Sequence, residues 1–527
     1  MKRLNRLLLV ALFLGWAFDF LFWKHAPGIS FTIYVLLCLA GGLLVLGLDG
    51  VRPSWRALLL LLPVFFFAAM SFIRQEPMTL FLAYVLTLLS LGLLAVSYLG
   101  GRWLLYSLTD HLYNFLKLVG SMVSLPLVAW VDQRRQVQEE PGGGNPSGWK
   151  RVWAVVRGLL IALPVVAVFA ALLASADLVF AQRLEEFIEL FRLERLPEYI
   201  FRGVYILIGA YLLAGVLLHA AQKSRDEKLI AEGKPFVPPF LGFTEAGVVL
   251  GAVVALFAAF VVIQVQYFFG GQANIHLDGY TYSEYARRGF GELITVAFFS
   301  LLLFLGLSGI VKRTTPSQRW AFSSLGSGMV LLVGVMLVSA FQRLLLYEAA
   351  YGFSRLRAYT HVFMIWLGVL LVVVVVLDIL RRERAFALAA LLASIGFAAT
   401  LTLVNVDAFI VRQNVARAAA GESLDVAYLA TLSTDSVPAL VDAFQSPDLP
   451  DYTRDAVGAA LVCRVETNYS RRDDDWRAFT FSHWSAGRAM EQVAADLAGY
   501  QVLDDDYPVQ VLTPGSIYYE CSGGWMD

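Results

Sequence analysis

Residues 341–361, FQRLLLYEAAYGFSRLRAYTH, gather Arg343, Glu348, Arg355 and Arg357 with Tyr347, Tyr351 and Tyr359 between two long apolar runs. Arginine at such an edge suits phosphate or carboxylate, because its planar fork donates two parallel hydrogen bonds. Arg343, Tyr347 and Tyr351 are four apart and share one helical stripe. Gly352 takes a left-handed backbone cheaply and ends the helix, and Ser354 suits the cap of the next. The spacing predicts a tight helix–turn–helix at a membrane edge, with Arg355 and Arg357 on the returning arm.

Other polar groups fall at the same expected level. YTYSEYARRGFGELI supplies Arg287, Arg288 and Glu292, with Arg288 and Glu292 spaced for an ion pair. Asp407 and Arg412 follow the last apolar run in VNVDAFIVRQN. The expected site is therefore one outer-face cluster of Arg287, Arg288, Glu292, Arg343, Tyr347, Glu348, Tyr351, Arg355, Arg357, Asp407 and Arg412. It would take an anionic lipid, an envelope glycan or a partner protein of the membrane or the extracytoplasmic space. The competing reading is that Tyr and Arg simply anchor helix ends at the interface.

No enzyme signature accompanies the cluster. HExxH, GxxxxGK[ST] and GxSxG are absent, and the histidines are scattered. His361 near the turn suits a structural hydrogen bond as well as a proton carrier. The triple-aspartate runs at 473–475 and 504–506 lack the ligand spacing and glycine of a calcium loop. No catalytic residue, metal ligand or cofactor is assigned. Cys463 and Cys521 are candidates for a disulfide if their segment faces an oxidising compartment.

The elements that position these groups are dictated by composition. The chain has 527 residues, 58% hydrophobic and 16% charged, with mean hydropathy +0.65. A formal net charge of −1 gives no reason to expect a nucleic-acid partner. Apolar runs fall near 7–23, 31–48, 57–73, 78–99, 152–175, 199–220, 243–269, 290–311, 321–343, 358–379 and 385–404. Each is long enough to span a bilayer, where only a helix bonds its own backbone. The expected fold is mainly α: a polytopic transmembrane helical bundle of about eleven spans with a small, mostly helical C-terminal aqueous domain.

Four regions follow. Residues 1–131 are N-terminal transmembrane helices plus an interfacial segment, the first helix reading as uncleaved. Residues 132–151 form a charged Gly/Pro-rich linker, and 152–404 the transmembrane core. Residues 405–527 form the aqueous tail, with 19 acidic residues against 8 arginines. Lysine and arginine are denser on segments that put the N-terminus inside, and eleven spans then put the tail outside. Segment 103–131, with Asp110, His111 and Lys117, is expected at the inner interface; if it crosses, the side of the tail inverts. Residues 176–199 carry the pattern of an amphipathic surface helix. In the tail, Asp435 or Ser436 caps a helix with Pro438 in its first turn. Further helices are expected near 451–467 and 485–498, and then a closing hairpin or strand.

YSEYARRGFGEL, RLLLYEAAYGFSRLR and NVDAFIVRQNVARAAAGESLDVAYLATLSTDSVPAL together resemble a bacterial family of polytopic membrane proteins. It is known as domain of unknown function 4173, with a related 4153 type. The resemblance covers roughly residues 150–445. It implies a bacterial cytoplasmic-membrane location and carries no activity, substrate or residue role. The functional expectation is a membrane scaffold or sensor. The alternatives are a secondary transporter of a small solute and an envelope-lipid-processing enzyme, whose acids by position would be Glu292, Glu348 and Asp407.

Overall fold

A computed structural model describes residues 4–139, 196–225, 238–269, 290–468, 475–503 and 509–521, with isolated positions between 155 and 183 and at 229. Eleven helices among the described residues are long and apolar enough to cross a membrane. Large apolar side chains such as Leu9, Leu62, Leu88, Leu256 and Leu331 remain exposed on them, as a lipid-facing surface requires. The candidate crossings differ from the expected set at one place. Leu108–Gln133 qualifies by length and composition, while the expected span 152–175 lies largely outside the described residues. The expected amphipathic helix at 176–199 lies mostly outside them too.

The chain divides into two compact units. The first holds residues 1–23, 37–51 and 117–222. Helix α1 (Leu4–Phe22) takes part in it with the second half of α2 (Ile29–Leu48), most of α6 (Leu108–Glu139) and α7 (Leu196–Gln222). Helices α1 and α7 run antiparallel. Their close approach is at Gly15, where an added Cβ would meet the Ile206 carbonyl at 2.7 Å. At one end Asp19, which is buried, accepts Arg202 Nε at 2.9 Å and the Tyr205 hydroxyl at 2.6 Å. At the other end α6 crosses α7. Ser121 meets His219 at 2.8 Å, and Gln133 reaches Asn5 at 3.3 Å. Asn5 and His219 mark the same end of the antiparallel pair.

The second unit holds residues 24–36, 52–116 and 223–527. Its membrane helices are α3 (Trp55–Leu58) and α4 (Leu61–Ile73), which make one span, α5 (Pro77–Ser97), α8 (Phe243–Phe269), α9 (Phe290–Ile310), α10 (Pro316–Tyr351), α11 (Arg355–Ile379) and α12 (Phe386–Val404). Ala246, Leu250, Phe322, Met329 and Leu344 belong to the core that packs α8 to α11 together. Helix α10 begins earlier than its apolar run. Thr315 and Gln318 form a capping box with Pro316 between them, which starts the helix before Ala321. Its 36 residues extend about 54 Å, well beyond the roughly 30 Å of a hydrocarbon layer.

The C-terminal domain is mostly helical. It contains α13 (Val406–Ala419), α14 (Val426–Thr431), α15 (Val437–Phe444), α16 (Asp451–Asn468) and α17 (Phe481–Leu497). Three short strands close it, β1 (Gln501–Leu503), β2 (Gln510–Leu512) and β3 (Tyr518–Glu520), antiparallel in that order with Val511 opposite both Val502 and Tyr519. Ser436 stands at the cap position of α15 with Pro438 in the first turn, although the Ser436 side chain makes no capping bond. The core of Leu429, Leu440, Val457, Val493 and Val511 continues into Leu401 and Ala358 of the membrane helices. Cys463 and Cys521 are joined by a disulfide.

Candidate functional site

The α10–α11 turn is built as its sequence suggests and is then gripped from outside. Gly352 ends α10 with φ +78° and ψ 179°, a conformation essentially reserved for glycine. Ser354 occupies the next cap position, but its hydroxyl caps nothing. Asn414 of α13 holds the turn with both ends of its amide, accepting from Phe353 N–H at 2.7 Å and donating to the Phe353 carbonyl at 2.9 Å. Arg417 donates to the Ala349 and Ala350 carbonyls at 3.1 and 3.2 Å, satisfying the end of α10.

Beside the turn, Arg355 meets Asp407 fork to fork, Nε–Oδ1 2.8 Å and Nη2–Oδ2 2.7 Å. Asp407 is fully buried and also accepts Ser433 N–H at 2.6 Å. Arg355 N–H donates to the Tyr428 hydroxyl at 2.9 Å, and burial pushes that phenol's pKa up. Arg357 donates to the Gly352 carbonyl and lies 4.1 Å over the Tyr347 ring, which in turn stands 5.0 Å from Tyr351.

A second junction lies at the α4–α5 turn. Glu76 caps α5, accepting Met78 N–H at 2.9 Å and Thr79 N–H at 2.8 Å, and receives the Tyr359 hydroxyl. Asp435 accepts Gln75 and Glu76 N–H at 2.7 and 2.9 Å. Burial holds the Asp435 carboxyl above its ordinary pKa, with those amides working in the opposite direction.

Between the two junctions is a cavity of about 420 Å³. Arg355, Arg464, His483, Ser433 and Thr434 contribute to its wall. Arg464 is only 8% exposed, and burial lowers its pKa to about 10. Its Nη1 donates to the Leu432 carbonyl and, at 3.4 Å, to that of Ala430. No carboxylate among the described residues pairs with it. Pro77, Val437, Val465 and Met490 make the rest of the wall apolar, and a buried guanidinium lining such a cavity is a ready partner for an anion.

A third polar group sits deeper. Glu348 is 1% exposed, with Oε1 3.2 Å from His361 Nδ1. Both Glu348 oxygens and His361 Nε2 are buried without a well-aligned hydrogen bond, as are the Gln264 amide and the Ser339 hydroxyl.

The expected cluster is thus partly assembled. Tyr347, Tyr351, Arg355, Arg357 and Asp407 surround one turn, and Glu348 lies behind it with His361. Arg343 is half-buried on the same helix. Arg412 is exposed and lines a smaller cavity of about 180 Å³ with Arg74 and Asp435. Glu292 is exposed in the first turn of α9; Arg287, Arg288 and the expected Arg288–Glu292 pair lie outside the described residues. Sequence reasoning missed Glu76, Tyr428, Ser433 and Arg464. Glu76-Pro77 was a readable signal, a carboxylate at the cap with proline at the first helical position. Arg464, alone among apolar residues in VGAALVCRV, was another.

These elements define a multi-pass α-helical membrane protein in a lipid bilayer environment, with a mostly helical domain closing one end of its second unit. The chain belongs to the family described as domain of unknown function DUF4153, whose model matches residues 61–443. The match is to the 4153 type, and a relation to the 4173 type is not shown. No curated protein and no solved structure matches the chain.

Proposed function

We propose that the protein is a membrane scaffold or sensor in which the Arg355–Arg464 cavity takes an anionic group from a lipid or an envelope glycan. The observation that carries this reading is Arg464, a buried cation that among the described residues is bonded only to carbonyls and that lines a cavity of mixed polar and apolar wall. Arg355 already spends its fork on Asp407. Arg464 is therefore the group left to receive the ligand, and Arg355 positions the wall. An anion there would join helices α14 to α17 to the ends of α5 and α11, so occupancy would be transmitted to the membrane helices.

An extracytoplasmic placement of the C-terminal domain supports this role. Arg52, Arg56, Arg102, Lys223, Lys312, Arg313, Arg381 and Arg382 gather at the end of the second unit opposite that domain, the pattern of a cytoplasmic edge. The Cys463–Cys521 disulfide suits an oxidising compartment.

The test is calorimetric titration of the purified full chain with glycerol phosphate and with short-chain phosphatidylglycerol. Arg464→Gln should abolish heat from the bound species while leaving the Arg355–Asp407 pair intact. Equal binding by wild type and Arg464→Gln would overturn the reading.

One observation favours transport as a second reading. Glu348, His361, Gln264 and Ser339 bring buried, unsatisfied polar atoms into apolar helices, where such groups commonly mark a solute or proton path.

A further inference from the structure

The second unit has another cavity, at the end opposite the C-terminal domain and independent of the site above. It measures about 700 Å³ and lies where α9 ends, α10 begins and α11 ends. Lys312, Arg313, Arg319 and Arg381 line it, and Asp378 is the only acid among its described lining residues. That carboxylate is already engaged. It accepts Arg313 Nη1 at 3.1 Å and the Ser323 hydroxyl. Arg319 Nε donates to the Arg313 carbonyl at 3.1 Å. No ion pair holds Lys312, Arg319 or Arg381 among the described residues, so the wall carries an uncompensated positive charge.

A second cavity of about 300 Å³ adjoins it and shares Ser308, Gly309 and Asp378. Its wall is mostly apolar, with Phe304, Leu305, Val374, Leu377 and Phe386, and Arg384 and Thr109 add polar groups to it. Trp320 is 68% exposed on the lining of the basic cavity, the position of an interfacial aromatic. A basic chamber adjoining a mostly apolar one at a membrane edge matches a ligand with an anionic head and a hydrocarbon tail. We propose that this paired cavity binds an anionic phospholipid, with the phosphodiester against Arg319, Arg381 and Lys312 and an acyl chain beside Phe304 and Phe386.

Gly309 provides a test that leaves the charge unchanged. An added Cβ there meets nothing within 4 Å, and the residue lies on the seam of the two chambers. Gly309→Leu fills the seam with a residue that helices favour. Purified full chain is titrated with phosphatidylglycerol, phosphatidylcholine and glycerol phosphate and read by native mass spectrometry.

Wild type should retain phosphatidylglycerol over phosphatidylcholine. Arg319→Ala combined with Arg381→Ala should weaken that retention by about tenfold or more, two interfacial cations having been removed. Gly309→Leu should lower the number of tightly held phosphatidylglycerol molecules by one at an unchanged melting temperature, leaving any lipid at the Arg464 cavity in place, which reads this site even if the arginine variant folds poorly. Equal retention of the two lipids would overturn the proposal, as would retention unchanged by Gly309→Leu. Displacement of the lipid by millimolar glycerol phosphate would overturn it too, by assigning the chamber to a soluble anion.

Discussion

Arg355 at the head of α11 and Asp407 at the head of α13 are 52 residues apart and bonded through both arms of the guanidinium, at 2.8 and 2.7 Å. Asp407 has no water access, so removing one partner leaves the other charge or its amide donor stranded. Asp407→Ala should cost about 3–5 kcal/mol. Arg355→Lys keeps the charge but loses the parallel pair of bonds, and should cost less. Thermal unfolding of the full chain in nanodiscs, followed with proteolysis near residue 405, checks both. A melting point unaffected by Asp407→Ala would refute the clamp.

Gly352→Ala should destabilise by roughly 1–3 kcal/mol, because φ +78° with ψ 179° excludes other residues. The new Cβ would also meet Arg417 Nη1 and Asn414 Oδ1 at 2.8 Å. Asparagine should not rescue it, since the backbone is not in the ordinary left-handed helical region. A shift in melting temperature, compared among glycine, alanine and asparagine, measures the effect.

Asp435 should make stability depend on pH. Its pKa is raised in the folded protein, chiefly by burial, so the folded state holds this proton more tightly than the unfolded chain. The group's contribution is therefore fullest below about pH 4, the unfolded value, and falls as pH climbs through the folded value. Asp435→Asn cannot titrate. It should gain on wild type as pH rises from 4 toward neutrality, in unfolding curves taken across that range. Parallel curves would contradict the assignment.

The disulfide closes a loop of 58 residues in sequence, worth about 4 kcal/mol in chain entropy. Reduction, or Cys463→Ser with Cys521→Ser, should lower the melting temperature accordingly. In cells the bond also reports topology. Thiol labelling that appears only after reduction, together with a reporter fused after Asp527 that works only outside the cytoplasm, is the expected result.

How far the sequence could be read depended on the kind of signal. Runs such as 358–379 and 385–404 place their helices well, because apolar length and backbone satisfaction leave one solution. Gly352 was legible because a helix stop is a local demand. The apolar run put the start of α10 at 321, too late, since Thr315-Pro316-Ser317-Gln318 is polar; capping chemistry sets the boundary there instead. Arg355 and Asp407 share a membrane level, which span counting reveals. That Asp407 would absorb the Arg355 fork depends on how α13 turns against α11, and helix periodicity carries no such information. Arg464 was lost for the same reason: its burial is created by the domain's packing, with Leu432 and Ala430 offering carbonyls from another helix.

The grip of the C-terminal domain also bears on the order in which the chain is made. Ile29 N–H donates to the Phe479 carbonyl at 2.8 Å, and Gly28 lies so close to Ala478 and Phe479 that a Cβ would not fit. Asp435 holds the α4–α5 turn, and Asn414 the α10–α11 turn. A ribosome working from the first residue delivers all three turns before residues 407–480 exist. The earliest hairpins thus wait, with backbone amides and Arg355 unmatched, for the last part of the polypeptide. Final consolidation of these turns is a late event in biogenesis, and a translation product arrested near residue 404 would present the membrane-quality proteases with open turns rather than a finished bundle.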